Sequence, residues 1–489
     1  MLRPMDRRSE PDHRVLTVAI VGGGASGTLT AVQLLRSGAA RGVSLRVALI
    51  DQHGRHGLGV AYSTDREDHL LNAVAGQMSA FPADPDHLIR WANTPGPGGR
   101  PVDQDVTDTT FLPRPAYGRY LRDVLAEAER DARPAGQLTR LTAEVIAIRR
   151  NDTGPAVRVV FGDGHLDADV VVLATGNTPA ALPFDAASSS RVIIDPWRPG
   201  ALAGLLGCAA ARSVVIVGTG LTTLDLAVAI TSVSPRVVVH AVSRHGLLPR
   251  THPGNRPRPD RPVWLPVISR TTEPVRLTEL SWQLRAAIAA NPENWHDVLC
   301  SLRPYVPGLW RRMPIADKRA FLRHLARYWE IHRHLVPAPT ASRVAALRVG
   351  GQLVIHRGRV QAVRPAGEQL RVLVESGDDT VELRADWIVN GTGSTTDVTV
   401  AASPLLRELF RAGLARPDPL WLGIDASVQG AVVDSAGTPS DVLYTLGPPL
   451  RGLWYETTAI PEIRQQAAAL AQLITSDHRQ GERRPGSAA

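Results

Sequence analysis

Two glycine-rich turns, each directly after a short apolar run, constrain this chain of 489 residues more than any other feature. The first runs Val18-Ala19-Ile20-Val21 into Gly22-Gly23-Gly24-Ala25-Ser26-Gly27, and the second Val214-Val215-Ile216-Val217 into Gly218-Thr219-Gly220-Leu221. The apolar runs are short and β-branched, as buried strands are. After the first turn, Leu29, Val32 and Leu35 recur at helical spacing, which predicts a helix over 25–37. Leu45–Ile50 and Val237–Val242 read as the strands that close the two units. Strand, glycine turn, helix and parallel strand make an α/β unit, and the chain holds two of them.

The glycines have physical roles. Gly22 permits the tight turn, Gly24 lets a pyrophosphate approach the backbone, and Gly27 lets helix and strand pack closely. The helix start, with Ala25 and Ser26, offers free N–H groups and partial positive charge to phosphate. The second turn presents Gly218, Gly220, Leu221 and Thr222, with Thr223 at the third small-residue position. The units then end differently. Asp51 follows the first, and its carboxylate accepts from ribose hydroxyls; Ser243 and Arg244 follow the second and suit a 2′-phosphate. The pair predicts two different dinucleotides, one with a bare ribose in the first unit and NADPH in the second. Asp225 is expected to cap its helix.

Composition narrows the class. The chain is 44% hydrophobic and 21% charged, as ordinary globular domains are. Its formal charge is +8, but the arginines are scattered and aromatics are only 5%, so no nucleic-acid partner is expected. Cys208 and Cys300 are the only cysteines and form no Cys-x-x-Cys, which excludes a redox-active pair beside a flavin and a cysteine zinc site. His324, His332 and His334 lack an accompanying carboxylate–histidine set at ligand spacing, so no metal is expected. No apolar run reaches the roughly 18 residues of a membrane span. The charged stretch Met1–Arg14 lacks the apolar core of a signal peptide, and a cytoplasmic protein without a membrane partner is expected.

The organisation follows. Residues 1–13 read as a disordered N-terminus, 14–205 as the first part of the first dinucleotide-binding domain, and 210–395 as an NADPH-binding domain with a helical insertion over about 255–345. Residues 396–475 read as the C-terminal part of the first domain, and 476–489 as a disordered tail. Helical patterns cover 117–130, 277–290, 295–303, 317–332 and 461–474. The stretch 54–114 is long and irregular, as functional loops are.

Further motifs carry a resemblance. They are Gly57-Leu58-Gly59-Val60-Ala61-Tyr62, His69-Leu70-Leu71-Asn72, Gln77-Met78-Ser79-Ala80-Phe81-Pro82, Phe111-Leu112-Pro113-Arg114 and Gly452–Arg464. With the two glycine turns, the chain resembles bacterial FAD/NAD(P)-binding proteins of the flavoprotein superfamily with two dinucleotide-binding domains. That grouping includes flavin-dependent N-hydroxylases and a bacterial FAD-dependent urate hydroxylase. Asp195-Pro196-Trp197 stands in the interdomain bridge, and the Baeyer–Villiger signature is absent. In this superfamily the strand ends Ala174-Thr175-Gly176 and Gly391-Thr392-Gly393 mark chain crossings between domains, and Ala174, Thr175, Gly176 and Gly393 become cofactor candidates.

The resemblance implies an α/β fold with two Rossmann-like domains, FAD first and NADPH second. It implies a soluble monooxygenase in which NADPH reduces FAD, O₂ adds at flavin C4a, and a small polar metabolite such as an amine, amino acid or purine is hydroxylated. The alternatives are an NAD(P)H-dependent reductase or dehydrogenase without oxygenation, and a non-catalytic FAD-binding interaction protein. A homo-oligomer is compatible with each. Asn72, Met78, Ser79, Trp454 and Thr458 are candidates for the flavin face, with Asn72 the candidate catalytic residue. Thr457 and Thr458 read as caps of a helix whose N-terminus would stabilise reduced flavin. The helical segment 277–336 is the expected substrate cover, with Trp310, Arg311, Arg312, Trp329, His332 and His334 as polar contacts.

Overall fold

The apolar run Leu16–Val21 has a parallel neighbour on each side, Leu45–Asp51 and Val170–Leu173. It is therefore buried on both faces, which explains a continuous rather than alternating apolar sequence. Val18 and Ile20 pack with the helix Ala25–Arg41, while Ala19 and Val21 face a second core with Leu405, Leu409 and Leu443. This computed structural model describes residues 15–96, 105–151, 154–162, 164–184, 186, 189–253, 264–270, 272–395, 397–399 and 403–482. The expected disordered N-terminus 1–13 and the end of the expected tail, 483–489, lie outside the described residues.

The first sheet has six strands in the order Ala431–Val433, Pro439–Thr445, Val170–Leu173, Leu16–Val21, Leu45–Asp51, Gly136–Thr142. All neighbours are parallel except Ala431–Val433, which pairs antiparallel with Pro439–Thr445. The C-terminal part of the chain thus returns to the sheet begun at residue 16. The second sheet has five parallel strands in the order Leu353–Arg357, Val238–Ser243, Ser213–Val217, Trp387–Asn390, Val192–Ile193. Its central strand repeats the first sheet's logic, with Val214 and Ile216 in one core and Val215 and Val217 in another. The chain is α/β with two Rossmann-like units. Between Val238–Ser243 and Leu353–Arg357 stands the helical insertion, whose helices include Leu277–Ala290, Trp295–Leu302 and Val306–Arg312.

Several expectations need correction. The segment 317–332 is two helices, Ile315–His324 and Ala326–Arg333, broken at Leu325. The second of these turns Trp329 and Glu330 onto the segment 451–456. The last helix runs Ile460–Glu482, past Ile474 and into the stretch expected to be a disordered tail, because it lies along the helix Ala25–Arg41, with Ser37 bonded to Thr475 (2.9 Å).

Asp225 is not a cap. The helix Leu221–Val233 has no acidic residue in its first turn, and Asp225 lies one turn further in, buried. Its carboxylate pairs with Arg114 at 2.6 Å, and the same guanidinium donates to the Leu70 carbonyl at 3.2 Å. Burial pushes the Asp225 carboxyl up and Arg114 opposes it. Trp197 of the interdomain bridge packs on Arg114 (5.5 Å) and edge-on to His69 (5.7 Å). Burial, reinforced by the charge of Arg114, lowers His69 to about 4 and keeps it neutral. The motifs around His69, Arg114 and Trp197 therefore fasten one domain to the other. Arg114→Ala leaves Asp225 buried without its cation, and the expected loss is about 3 kcal/mol, read as a lower urea midpoint at unchanged slope. Asp225→Asn, which keeps an acceptor without the charge, is expected to lose less.

Candidate functional site

At the first turn, Gly22 has φ +115°, and a Cβ there would lie 2.2 Å from the Ala174 carbonyl oxygen. A Cβ on Gly27 would lie 1.9 Å from the Gly22 carbonyl oxygen. Both positions require glycine. Gly24 caps the helix Ala25–Arg41 without a side-chain hydrogen bond, and no acid stands in its first turn. Its first N–H groups and the positive end of its dipole are thus uncompensated.

Gly24 has a role that the sequence reading missed. A Cβ there would sit 3.4 Å from Gly59 Cα, and one on Gly59 would sit 2.7 Å from Gly24 Cα. The two glycines meet face to face, and Gly57 N–H donates to the Gly23 carbonyl at 2.9 Å. Gly447, at φ +73°, approaches from another side, where a Cβ would lie 2.8 Å from Ser26 Oγ. Asp51 Oδ2 accepts from Gly23 N–H (3.2 Å), and Oδ1 accepts from His53 (2.9 Å) and Arg55 (3.0 Å) N–H groups. A carboxylate offers about four acceptor sites, so one remains for a ribose hydroxyl.

The second turn repeats the geometry with one difference. Gly218 has φ +120°, and a Cβ there would lie 2.4 Å from the Gly391 carbonyl oxygen. Gly220 caps the helix without a side-chain bond, and nothing lies within 4 Å of its absent Cβ. Leu221 and Thr222 are half-buried behind it, and Thr223 is fully buried. The Ser243 hydroxyl is engaged: it bonds Thr219 Oγ1 (2.8 Å) and accepts from Gly246 N–H (3.1 Å), so it pins the turn. Arg244 is exposed, with no carboxylate partner among the described residues. Burial, then the charges of Arg327, Arg244 and Arg357, lower the pKa of His245, which places three arginines around that residue.

The two strand ends meet. Thr175, Gly176 and Thr178 line one narrow cleft with Ser394, Thr395 and Thr458. The pair Thr178–Pro179 and Ser394–Thr395 hydrogen-bonds across it, and Gly176 (φ +67°) and Gly393 (φ +86°) have open space where a Cβ would stand. Ala174, just before, is buried. Asn72 is exposed and makes no side-chain hydrogen bond among the described residues.

Met78 and Ser79 face inward instead. Met78 belongs to the first core, and Ser79 Oγ donates to the Asp84 carbonyl at 2.6 Å and accepts from Phe81 N–H at 3.1 Å. Both side chains are thus engaged within the protein. Thr457 does not cap the last helix: its hydroxyl donates to the Gly447 carbonyl (3.1 Å) and accepts from Gln466 (2.7 Å). Trp454 stacks under Arg311 at 4.8 Å.

On the other side of 451–458 lies a cavity of about 490 Å³ inside the helical insertion. Tyr455, with φ +56°, forms part of its wall. Part-buried polar contacts hold this segment: Arg451 pairs with Glu330 (2.5 Å), Arg333 with Glu456 (3.3 Å), and the Trp329 indole N–H donates to Glu456 (2.9 Å). Of the insertion's expected polar contacts, His334 pairs with Glu330 (3.1 Å) and His332 Nδ1 lies 2.8 Å from the Tyr328 carbonyl. Trp310 donates to the Gly452 carbonyl (2.8 Å), and Arg312 to the Ile268 carbonyl (2.8 Å).

Residues 19–178 match a protein-family model described as FAD-NAD(P)-binding. No curated protein sequence matches the chain. Among solved structures the fold is similar to the Kutzneria sp. 744 ornithine N-hydroxylase with reduced FAD, NADP+ and L-ornithine (16% identity, 96% of this chain and 100% of that one, TM-score 0.60). It is also similar to the ornithine hydroxylase of Pseudomonas aeruginosa (14%, 95% and 100%, TM-score 0.61) and the L-lysine 6-monooxygenase of Pseudomonas syringae (15%, 94% and 98%, TM-score 0.59). These likenesses establish the fold.

The wall has a pH signature. Burial pushes the Glu330 carboxyl up, but His334 and Arg451 outweigh it and bring it from 4.5 to about 2. A lowered carboxyl contributes stability above pH 4.5 that is lost as pH falls toward 2. A third of the side chain is exposed, so solvent screening reduces the contribution to about 1–2 kcal/mol. Glu330→Gln is expected to lose that amount at pH 7 and to flatten the acid limb between pH 4.5 and 2, measured by thermal unfolding against pH.

Proposed function

We propose that the chain is an FAD-containing, NADPH-dependent monooxygenase. One observation carries the reading: the segments that run on from the two strand ends behind the glycine turns, 175–178 and 394–395, pair with each other and line one cleft, so both turns lead toward the same place. FAD supplies the redox chemistry when bound. In the net reaction, NADPH gives two electrons, one atom of O₂ enters the substrate, and the other leaves as water.

The chain's own residues bind and orient. The uncompensated N-terminus of Ala25–Arg41, which Gly59 and Gly447 approach, would hold the FAD pyrophosphate, and Asp51 would accept from its ribose. The N-terminus of Leu221–Val233 holds the second pyrophosphate at Gly220, where nothing obstructs it. Arg244, with Arg357 and Arg327 nearby, meets the 2′-phosphate. Thr458 and Arg451 line the cleft and would face a flavin ring held there, and Asn72 remains the candidate polar contact for a flavin carbonyl. The insertion keeps water from the reacting centre. The similarity to hydroxylases of ornithine and lysine supports oxygenation over simple reduction, and the amine, amino-acid or purine substrate class rests on resemblance alone.

Gly24→Val would drive a side chain into Gly59 and close the helix N-terminus. The purified variant is expected to be colourless where the parent is yellow, and full flavin occupancy would remove the basis of the first site. Arg244→Ala is expected to raise the KM for NADPH about tenfold and leave that for NADH unchanged. An unaltered cofactor preference would refute its assignment to the 2′-phosphate.

A further inference from the structure

We propose that the cavity in the helical insertion binds a carboxylate carried on an extended hydrocarbon body, and that this apolar anion is the class of substrate oxygenated. Naming the occupant a substrate rests on the monooxygenase reading; the class of molecule it admits does not.

The volume, about 490 Å³, lies within the roughly 300–1,000 Å³ of small-molecule sites. Of the twenty residues that line it, sixteen are apolar or aromatic, three are Arg250, Arg285 and His332, one is Ser281, and none is acidic. Leu280, Leu284, Ile288, Leu299 and Val306 supply an aliphatic wall. The indole N–H groups of Trp310 and Trp329 are engaged elsewhere, with the Gly452 carbonyl and the Glu456 carboxylate. Their rings therefore add apolar surface and no donor.

Charge decides the sign of the ligand. A cationic amine in this cavity would lose water and meet no carboxylate among the described lining residues, an arrangement that buried charges do not tolerate. Arg250 and Arg285 are both exposed, line the cavity and have no carboxylate partner among the described residues. They stand where an anionic head would rest in solvent contact while its tail entered the aliphatic interior. A purine or an amino acid would leave most of that interior unfilled by apolar contact. The cavity also adjoins the cofactor cleft through one short segment, since Tyr455 lines the cavity while Arg451 and Thr458 line the cleft.

The test is isothermal titration of the intact, flavin-loaded protein with octanoate, decanoate, dodecanoate, dodecanol and lysine. Dodecanoate is expected to bind one to one, with affinity rising by up to about fourfold per added methylene. Dodecanol is expected to bind at least tenfold more weakly, and lysine not at all. The Arg250→Ala/Arg285→Ala double variant, altered only at exposed positions, is expected to lose at least tenfold for dodecanoate and nothing for dodecanol. Leu299→Trp is expected to abolish binding of both. Absence of saturable dodecanoate binding, equal affinity for acid and alcohol, or an unchanged double variant would overturn the proposal. A yellow protein that oxidises NADPH but binds no dodecanoate would sink this inference alone. A colourless protein that binds dodecanoate would sink the monooxygenase reading and leave the cavity's ligand class standing.

Discussion

The arrangement depends on two backbone contacts that a single methyl group would forbid. Gly22 lies against the Ala174 carbonyl and Gly218 against the Gly391 carbonyl, each at a positive φ that other residues rarely adopt. Each contact locks a glycine turn to the end of the neighbouring parallel strand, and so fixes where the following helix begins. The helix start then presents unspent N–H groups at the carboxyl edge of the sheet, the place where open α/β sheets bind ligands. The same contact is made in both domains, and the segments that follow the two receiving strand ends, 175–178 and 394–395, line the shared cleft.

The second constraint is how the domains are joined. Arg114 begins one domain's helix, Asp225 sits inside the other's, and Trp197 of the bridge covers the pair. A buried ion pair is a poor source of net stability but a strict one, since either partner alone is costly. It therefore fixes the orientation of two units that are otherwise tied here by two-residue strands such as Thr178–Pro179 with Ser394–Thr395. His69, held neutral by burial beside Arg114, adds no second charge to that junction.

Much of the fold was legible in the sequence because local rules and tertiary demands agree at the glycine turns. Apolar strand, glycine, helix period and closing strand all point to one unit, and both units formed where they were read. What stayed hidden depends on distant partners. Asp225 reads as a first-turn acid, but its meaning comes from Arg114, 111 positions away. Thr457 reads as a helix cap, yet its hydroxyl satisfies the carbonyl of Gly447, ten positions earlier. Gly59 stood in a quoted motif, but its pairing with Gly24 needs two loops brought together. The edge strand Gly136–Thr142, and Pro439–Thr445 next to the opposite edge, lack a continuous apolar run, being half-exposed, and periodicity passes over them. The break at Leu325 was hidden because both halves carry helical spacing.

The two glycine turns are not equally enclosed. Gly59 and Gly447 crowd the start of the first helix, whereas Gly220 looks onto empty space. A molecule seated at the first turn is fenced by two backbone segments and must wait for them to part. One seated at the second departs by the way it came. The asymmetry separates a permanent lodger from a passing courier, and residence time is thereby written into the chain as the presence or absence of one facing loop.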